Sequence, residues 1–201
     1  MAWMNNNFNC YYALSYYSLL PINAGFRMKQ DFTPYQRGIE RISRQLPGMP
    51  KDRTILNRLL FFMFKALDDV YNRQLAEYGL NTSSFAALAM LLGSGETRLN
   101  PSHLSDALVA SRTNVTRMTD ELVRAGLIER RPSKEDRRRL ELSLTEAGRQ
   151  RILKALPSVW RLTERQWADF SQDEVAEFDR LLRKLLAGLD RCRESQPGLQ
   201  A

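Results

Sequence analysis

Between Ser111 and Arg139 stand nine basic residues, Arg112, Arg117, Arg124, Arg130, Arg131, Lys134, Arg137, Arg138 and Arg139. Five acids oppose them: Asp120, Glu121, Glu129, Glu135 and Asp136. That local surplus of four is more than half of the chain's net +7, and cations gathered in one stretch select a polyanion. Wound at roughly 100° per residue, Ser111–Ala125 gathers Val115, Met118 and Leu122 on one side, which must be buried. Thr113, Arg117, Asp120 and Arg124 then project the opposite way, with Asn114 and Thr116 on the flanks. Arginine donates two bonds to guanine, asparagine pairs with adenine, and threonine offers a hydroxyl and a methyl. The first turn, Ser111, Arg112, Thr113 and Asn114, offers backbone N–H groups to a phosphate. On an arbitrary amphipathic helix these residues would be a solvated face. A preceding short helix, a following basic hairpin and the charge surplus favour a nucleic-acid partner instead.

The elements that must position this helix are legible in turn. Pro34, Pro47, Gly48 and Pro50 confine a short helix to about Tyr35–Arg44. From Asp52 to Tyr78 a long helical pattern carries Leu56, Leu60, Met63, Leu67, Val70, Leu75 and Tyr78, with Ile55, Leu59, Phe62 and Ala66 as a second stripe. Two stripes need cover on two sides, and a chain this short points to a second subunit for one of them. Gly79 closes the helix as its left-handed residue. Asn81 or Thr82 caps a helix over Ser83–Leu92, and Gly93-Ser94-Gly95 stops it. Asn100-Pro101 opens another helix to Leu108. Ser111 caps the next helix, which Gly126 ends, and the pair forms a helix-turn-helix outline. Leu127–Arg131 and Arg139–Leu144 flank a turn at Pro132-Ser133-Lys134-Glu135-Asp136, with Leu140, Leu142 and Leu144 facing one way. Helix-turn-helix followed by a two-stranded hairpin is the winged-helix arrangement. Thr145 begins a long helix through Leu153, Leu156, Trp160, Trp167 and Phe170, bent by Pro157. Ser171 with Glu174 forms a capping box, and Val175, Phe178, Leu182, Leu185 and Leu189 make a seam suited to helix pairing.

The fold class is therefore mainly α, with a small β-hairpin wing. Its expected domains are dimerisation helices over 28–80, a winged helix-turn-helix over 81–145 and further dimerisation helices over 146–194, with a frayed tail over 195–201. Residues 1–27 read as a disordered tail or a misassigned start with Met28 as the true one, since the first 26 residues carry no charge.

Composition removes other classes. No uncharged apolar run reaches the roughly 18 residues a membrane helix needs. His103 is the only histidine, which excludes a multi-histidine metal site or a triad that does not use it. No nucleophile stands with a suitable base, and no glycine-rich phosphate loop is present. No catalytic residue, cofactor or metal is expected. The one enzymatic form worth weighing, a methyltransferase with a winged-helix dimerisation lobe, needs a further Rossmann domain. Cys10 and Cys192 offer no disulfide framework, which points to a reducing, cytoplasmic compartment.

Arg137, Arg138 and Arg139 follow the hairpin turn, where at least one guanidinium should reach the neighbouring minor groove. Asp136 stands ready to pair with one of them and hold the turn. Four runs now carry a resemblance: Ser111-Arg112-Thr113-Asn114 through Asp120-Glu121-Leu122; Gly126-Leu127-Ile128-Glu129-Arg130-Arg131; Asp136-Arg137-Arg138; and Leu144-Thr145-Glu146-Ala147-Gly148. They resemble the MarR family of bacterial regulators, and within it the repressors of multidrug-efflux operons. The likeness runs over residues 30–192, most specifically from Ser111 to Gly148. It implies an obligate homodimer, with a dimerisation region built from both chain ends. It further implies repression on an inverted-repeat operator in double-stranded DNA and release by a small aromatic or phenolic effector. Carried over by position, Arg117 reads bases, Ser111 and Thr116 contact DNA from the helix, Arg138 is the wing-tip arginine and Asp136 orders the wing.

Ligands of the family bind between the dimerisation helices and the DNA lobe. The wall residues this implies are Phe62, Ala66, Tyr71, Phe85, Met90 and Trp160, although aromatic and Met residues at helical spacing are also ordinary packing. A cysteine-based redox regulator would have to use Cys192, whose Arg191 and Arg193 neighbours favour the thiolate. A ligand-independent architectural or activator winged helix is the remaining alternative.

Overall fold

The computed structural model describes residues 31–95, 99–108, 110–133 and 140–195. The expectations for residues 1–27, for the hairpin turn with Asp136, Arg137 and Arg138, and for the tail beyond Ser195 lie outside those residues. The chain divides into two compact units at Arg73/Gln74.

In the first unit, α1 (Thr33–Gln45) carries a proline in its opening turn, where a missing N–H is harmless. α2 (Lys51–Ala76) follows, its last turn belonging to the second unit. Phe62 of α2 meets the rings of Phe32 and Tyr35 at 5.6 and 5.7 Å between centroids. The Arg58 guanidinium lies 4.7 Å from the Tyr35 ring centre, a cation–π geometry. Leu56, Phe61 and Phe64 of α2 are exposed, Phe64 to 72%. Phe61 and Phe64 belong to neither of the two expected stripes, so the apolar surface of this helix is wider than its periodicity indicates.

In the second unit the chain leaves α2 through a glycine. Gly79 has φ +65°, and the Leu80 N–H returns to the Leu75 carbonyl at 3.1 Å. That is the left-handed helix ending only glycine adopts cheaply. α3 (Thr82–Gly93) is capped by Asn81, whose side chain accepts from the Ser84 N–H while the Ser84 hydroxyl accepts from the Asn81 N–H. α4 (Pro101–Ala107) is capped by Asn100 and α5 (Arg112–Arg124) by Ser111. β1 (Ile128–Pro132) pairs antiparallel with β2 (Leu140–Leu144), setting Ile128 opposite Leu144 and Arg130 opposite Leu142. The Leu142 N–H also reaches the Leu99 carbonyl at 2.7 Å, an isolated bridge beside the hairpin. α6 (Glu146–Gln166) and α7 (Gln172–Glu194) complete the unit. Leu75, Leu88, Leu104, Val115, Leu142 and Ile152 are fully buried, so the end of α2, then α3, α4, α5, β2 and α6, all contribute to one core. The Arg151 guanidinium of α6 donates to the Tyr78 carbonyl at 2.8 Å and so satisfies a carbonyl at the end of α2.

Two expectations need correction. Leu140, Leu142 and Leu144 do not share one buried face: Leu142 is buried, Leu144 half-buried, and Leu140 exposed. The core ends beneath the middle of the hairpin, and Leu140 lies at its open end. The helix begun at Thr145 also stops before Trp167 and Phe170. Trp167 leaves the helical region, and its ring packs on Phe170 and Phe178 at 5.1 and 5.8 Å. Their spacing mimics a helix, but they form an elbow against α7. Pro157 lies inside α6, which continues as helix beyond it. α7 begins at the expected box: the Ser171 N–H and hydroxyl both donate to the Glu174 carboxylate. These bonds hold that carboxyl below its ordinary range, the backbone bond being the larger cause. The cap therefore acts fully above the ordinary carboxylate pKa and is lost as pH falls through the lowered one.

Candidate nucleic-acid interface

The geometry of α5 follows from its sequence. Val115, Met118, Thr119 and Leu122 are buried, and these anchors leave Arg112, Thr113, Asn114, Thr116 and Arg117 exposed, with Ser111 at the cap. The Ser111 hydroxyl oxygen accepts from the Asn114 N–H at 3.3 Å. The Thr116 hydroxyl donates to the Arg112 carbonyl at 2.9 Å, leaving its oxygen able to accept. Arg117 reaches Glu121 one turn on, at 3.2 Å, with both side chains largely in solvent. A pair this exposed contributes about 0–1 kcal/mol, so Arg117 can exchange it for a stronger anion. Arg112 and Arg124 form no ion pair with any described residue. The helix residues proposed as DNA contacts, Ser111, Arg112, Thr113, Asn114, Thr116 and Arg117, are therefore all exposed.

Asp120 carries an ion pair that the helical wheel does not show: half exposed, its carboxylate meets Arg130 of β1 at 2.8 Å. The same guanidinium donates to the Thr119 hydroxyl oxygen at 2.6 Å, and Thr119 in turn donates to the Thr116 carbonyl at 3.0 Å. Arg130, counted by sequence among surface cations, is thus consumed between hairpin and helix. Arg131 is exposed but pairs with Glu129 at 2.8 Å, and Glu129 also accepts from Ser143. Thr119 gave no sequence signal beyond falling between Met118 and Leu122 on the buried side. His103 is exposed on α4, its N–H capped by Asn100.

The residues proposed for an effector do not lie together in one unit. Phe62, Ala66 and Tyr71 belong to the first unit, and Phe85, Met90 and Trp160 to the second. Phe62 is engaged in the aromatic cluster, Trp160 is exposed, and the others are half-buried. The second unit has a cavity of about 740 Å³ walled by Leu91, Leu92, Glu129, Leu142, Leu144 and Arg149, among others. None of the six candidates lines it. Its walls come from four separate elements, which periodicity along any single one does not reveal.

Comparison with known proteins fixes the class. The profile described as the MarR family matches residues 78–139, from the end of α2 to the hairpin turn. The transcriptional repressor MprA of Escherichia coli K12 is 35% identical over 174 residues, covering 87% of this chain and 99% of MprA. The chain belongs to the MarR family. It is accordingly a DNA-binding transcriptional regulator and not an enzyme. Among solved structures, a cysteine-to-serine mutant of E. coli MarR complexed with operator DNA superposes with a TM-score of 0.63 at 26% identity. It covers 69% of this chain and 98% of that one. The S. aureus MepR–DNA complex has a TM-score of 0.60 at 18% identity over 65% of this chain and 94% of that one, a likeness of fold. The mostly helical architecture with one small antiparallel pair is the winged-helix fold of these MarR proteins. No helix of the described residues is long and apolar enough to cross a membrane.

Proposed function

We propose that this MarR protein is a homodimeric repressor that binds an inverted-repeat operator and leaves it when a small aromatic or phenolic anion binds. The carrying observation is that α5 turns Thr113, Asn114, Thr116 and Arg117 to solvent beside an antiparallel hairpin. Likeness to a repressor, MprA, and to MarR bound to operator DNA supports the reading. Two symmetry-related copies of α5 enter successive major grooves, about 34 Å apart. Arg117 reads base edges, Ser111 and Thr116 contact DNA from the helix, and the first turn with Arg112 holds phosphate. Arg137 and Arg138, ordered by Asp136, reach the adjacent minor groove. Residues 28–80 and 146–194 supply the dimer interface, and residues 81–145 the DNA lobe. The regulated genes are those of efflux or stress, as in the subgroup the motifs resemble, and the protein works in the cytoplasm on the nucleoid.

Derepression is a population shift, in which the effector prefers the lobe spacing that does not fit DNA. A single duplex titration tests this function. Arg117→Ala is expected to cost about 1–3 kcal/mol of operator binding and to flatten base preference. Undiminished discrimination between operator and scrambled duplex excludes Arg117 as the reader. Repeating the titration with salicylate-like anions should weaken operator binding by the parent chain. An unchanged affinity points instead to an architectural protein.

A further inference from the structure

We infer that Arg130 is a positioning residue: it fixes the middle of the hairpin to the reading helix and offsets the charge of Asp120. The inference rests on the DNA-binding reading above and assigns no base or phosphate contact to Arg130 itself. Its guanidinium spans two neighbouring residues of α5. One terminal nitrogen lies 2.8 Å from the Asp120 carboxylate, and the other donates to Thr119 at 2.6 Å. From Thr119 the chain of bonds runs on to the Thr116 carbonyl at 3.0 Å, on the turn that also carries Arg117. Arg130 sits in the ladder opposite Leu142, and Leu142 is fully buried. Any shift of the hairpin therefore moves Arg130, and a fork held at two points transmits that shift to α5.

Stability of the lobe does not by itself account for this arginine. Its side chain is only 26% exposed, and its Nε is buried with no hydrogen-bond partner among the described residues. A buried donor left unmade is costly, and an apolar side chain of similar reach is often as stable in such a place. What an apolar side chain lacks is orientation. Charge gives a second reason. Asp120 lies one turn beyond Thr116 and three residues beyond Arg117, so an unpaired carboxylate there would repel phosphate and compete for Arg117. Arg130 neutralises it from behind.

The test separates positioning from plain charge by sign. Asp120→Asn removes a negative charge from a helix that faces DNA, so electrostatics alone predicts tighter binding. Positioning predicts weaker operator binding, because a neutral amide oxygen holds the guanidinium less firmly than the carboxylate does. The parent chain, Asp120→Asn, Thr119→Val and Arg130→Met are titrated at several salt concentrations. The duplexes are one selected by the parent chain from a random pool and a scrambled control. We expect operator affinity to fall about tenfold or more for Arg130→Met, with the log-affinity-versus-log-salt slope near the parent's, since Arg130 itself contacts no phosphate. Binding to the scrambled duplex should change less, and helical circular dichroism should be kept. Asp120→Asn and Thr119→Val should move the same way by less. Arg130→Met combined with Asp120→Asn should lose no more than Arg130→Met alone, since both break one link. Operator binding by Asp120→Asn equal to or tighter than the parent's overturns the inference, as does a salt slope shallower by about one in Arg130→Met, which would make Arg130 a phosphate contact itself. If Arg130→Met does not fold, the signs for Asp120→Asn and Thr119→Val still decide. A parent chain that selects no duplex from the pool overturns the DNA reading, and this inference with it.

Discussion

Replacing Gly148 by alanine is expected to destabilise the second unit by about 2 kcal/mol or more, against the usual direction of such a change. Within a helix, glycine to alanine ordinarily gains about 1 kcal/mol from propensity and unfolded-state entropy. Here a Cβ would overlap the Leu127 carbonyl group and stand 3.1 Å from the Leu144 side chain. The obstacle is backbone, and that backbone is tied down. The Leu127 carbonyl accepts from the Thr145 N–H at 3.1 Å. The Thr145 hydroxyl donates to the Gly126 carbonyl at 2.6 Å and accepts from the Gly148 N–H at 3.0 Å. Thr145 is thus both the cap of α6 and the clasp on the turn between α5 and β1, and neither side has room to retreat. Urea melts at fixed protein concentration should show a lower midpoint with an unchanged slope. Gly93→Ala, where nothing lies within 4 Å of the added carbon, should be neutral or slightly stabilising. A Gly148→Ala midpoint at or above that of the parent chain refutes the clasp.

The same junction marks how far sequence reasoning reached. Signals within one turn of helix were legible: the caps at Ser111 and Ser171, a cap narrowed to Asn81 or Thr82, the helix starts at Asn100 and Thr145, the helix end at Gly79, and the buried row of Val115, Met118 and Leu122. Each depends on neighbours three or four residues away, so pattern determines contact. Gly148 reads locally as a weak helix position, and only the Leu127 carbonyl, packed against it from another element, makes it obligatory. Asp120 and Arg130 are ten residues apart on different elements. A helical wheel shows Asp120 on the projecting face but not the arginine that meets it from a strand. Trp167 and Phe170 failed in the opposite sense, keeping helical spacing in a turn where ring packing replaces it. Leu99, outside both strands, gave no periodic signal for its bridge to Leu142. The candidate interface was therefore clear where it lies on one helix and hidden where hairpin and helix meet.

If the proposed homodimer pairs through α7, Leu185→Glu is expected to convert it to monomer at micromolar concentration, read as a halved mass in sedimentation. Not one residue of α7 is buried, yet Leu181, Leu182, Leu185, Leu186 and Leu189 lie along it, each 40–56% exposed. This is broader than the single expected seam of Val175, Phe178, Leu182, Leu185 and Leu189, because Leu181 and Leu186 widen it. Burying one leucine fully contributes about 1.5–3 kcal/mol. A two-fold interface uses each leucine twice, so such a face is a strong drive to pair. A glutamate at its centre would need to be desolvated in both copies without a partner, which costs several kcal/mol at least. Operator binding should weaken with dimer loss, since each lobe then engages its half-site without the other's effective concentration. Arg183→Gln serves as the control. It lies on the far side of α7, in an exposed pair with Asp179 at 2.7 Å, and a pair of that kind contributes about 0–1 kcal/mol. Arg183→Gln should therefore leave both mass and affinity near the parent values. A Leu185→Glu protein that remains dimeric at the parent's concentrations would place the interface elsewhere, with α2 and its exposed Phe61 and Phe64 the next surface to substitute.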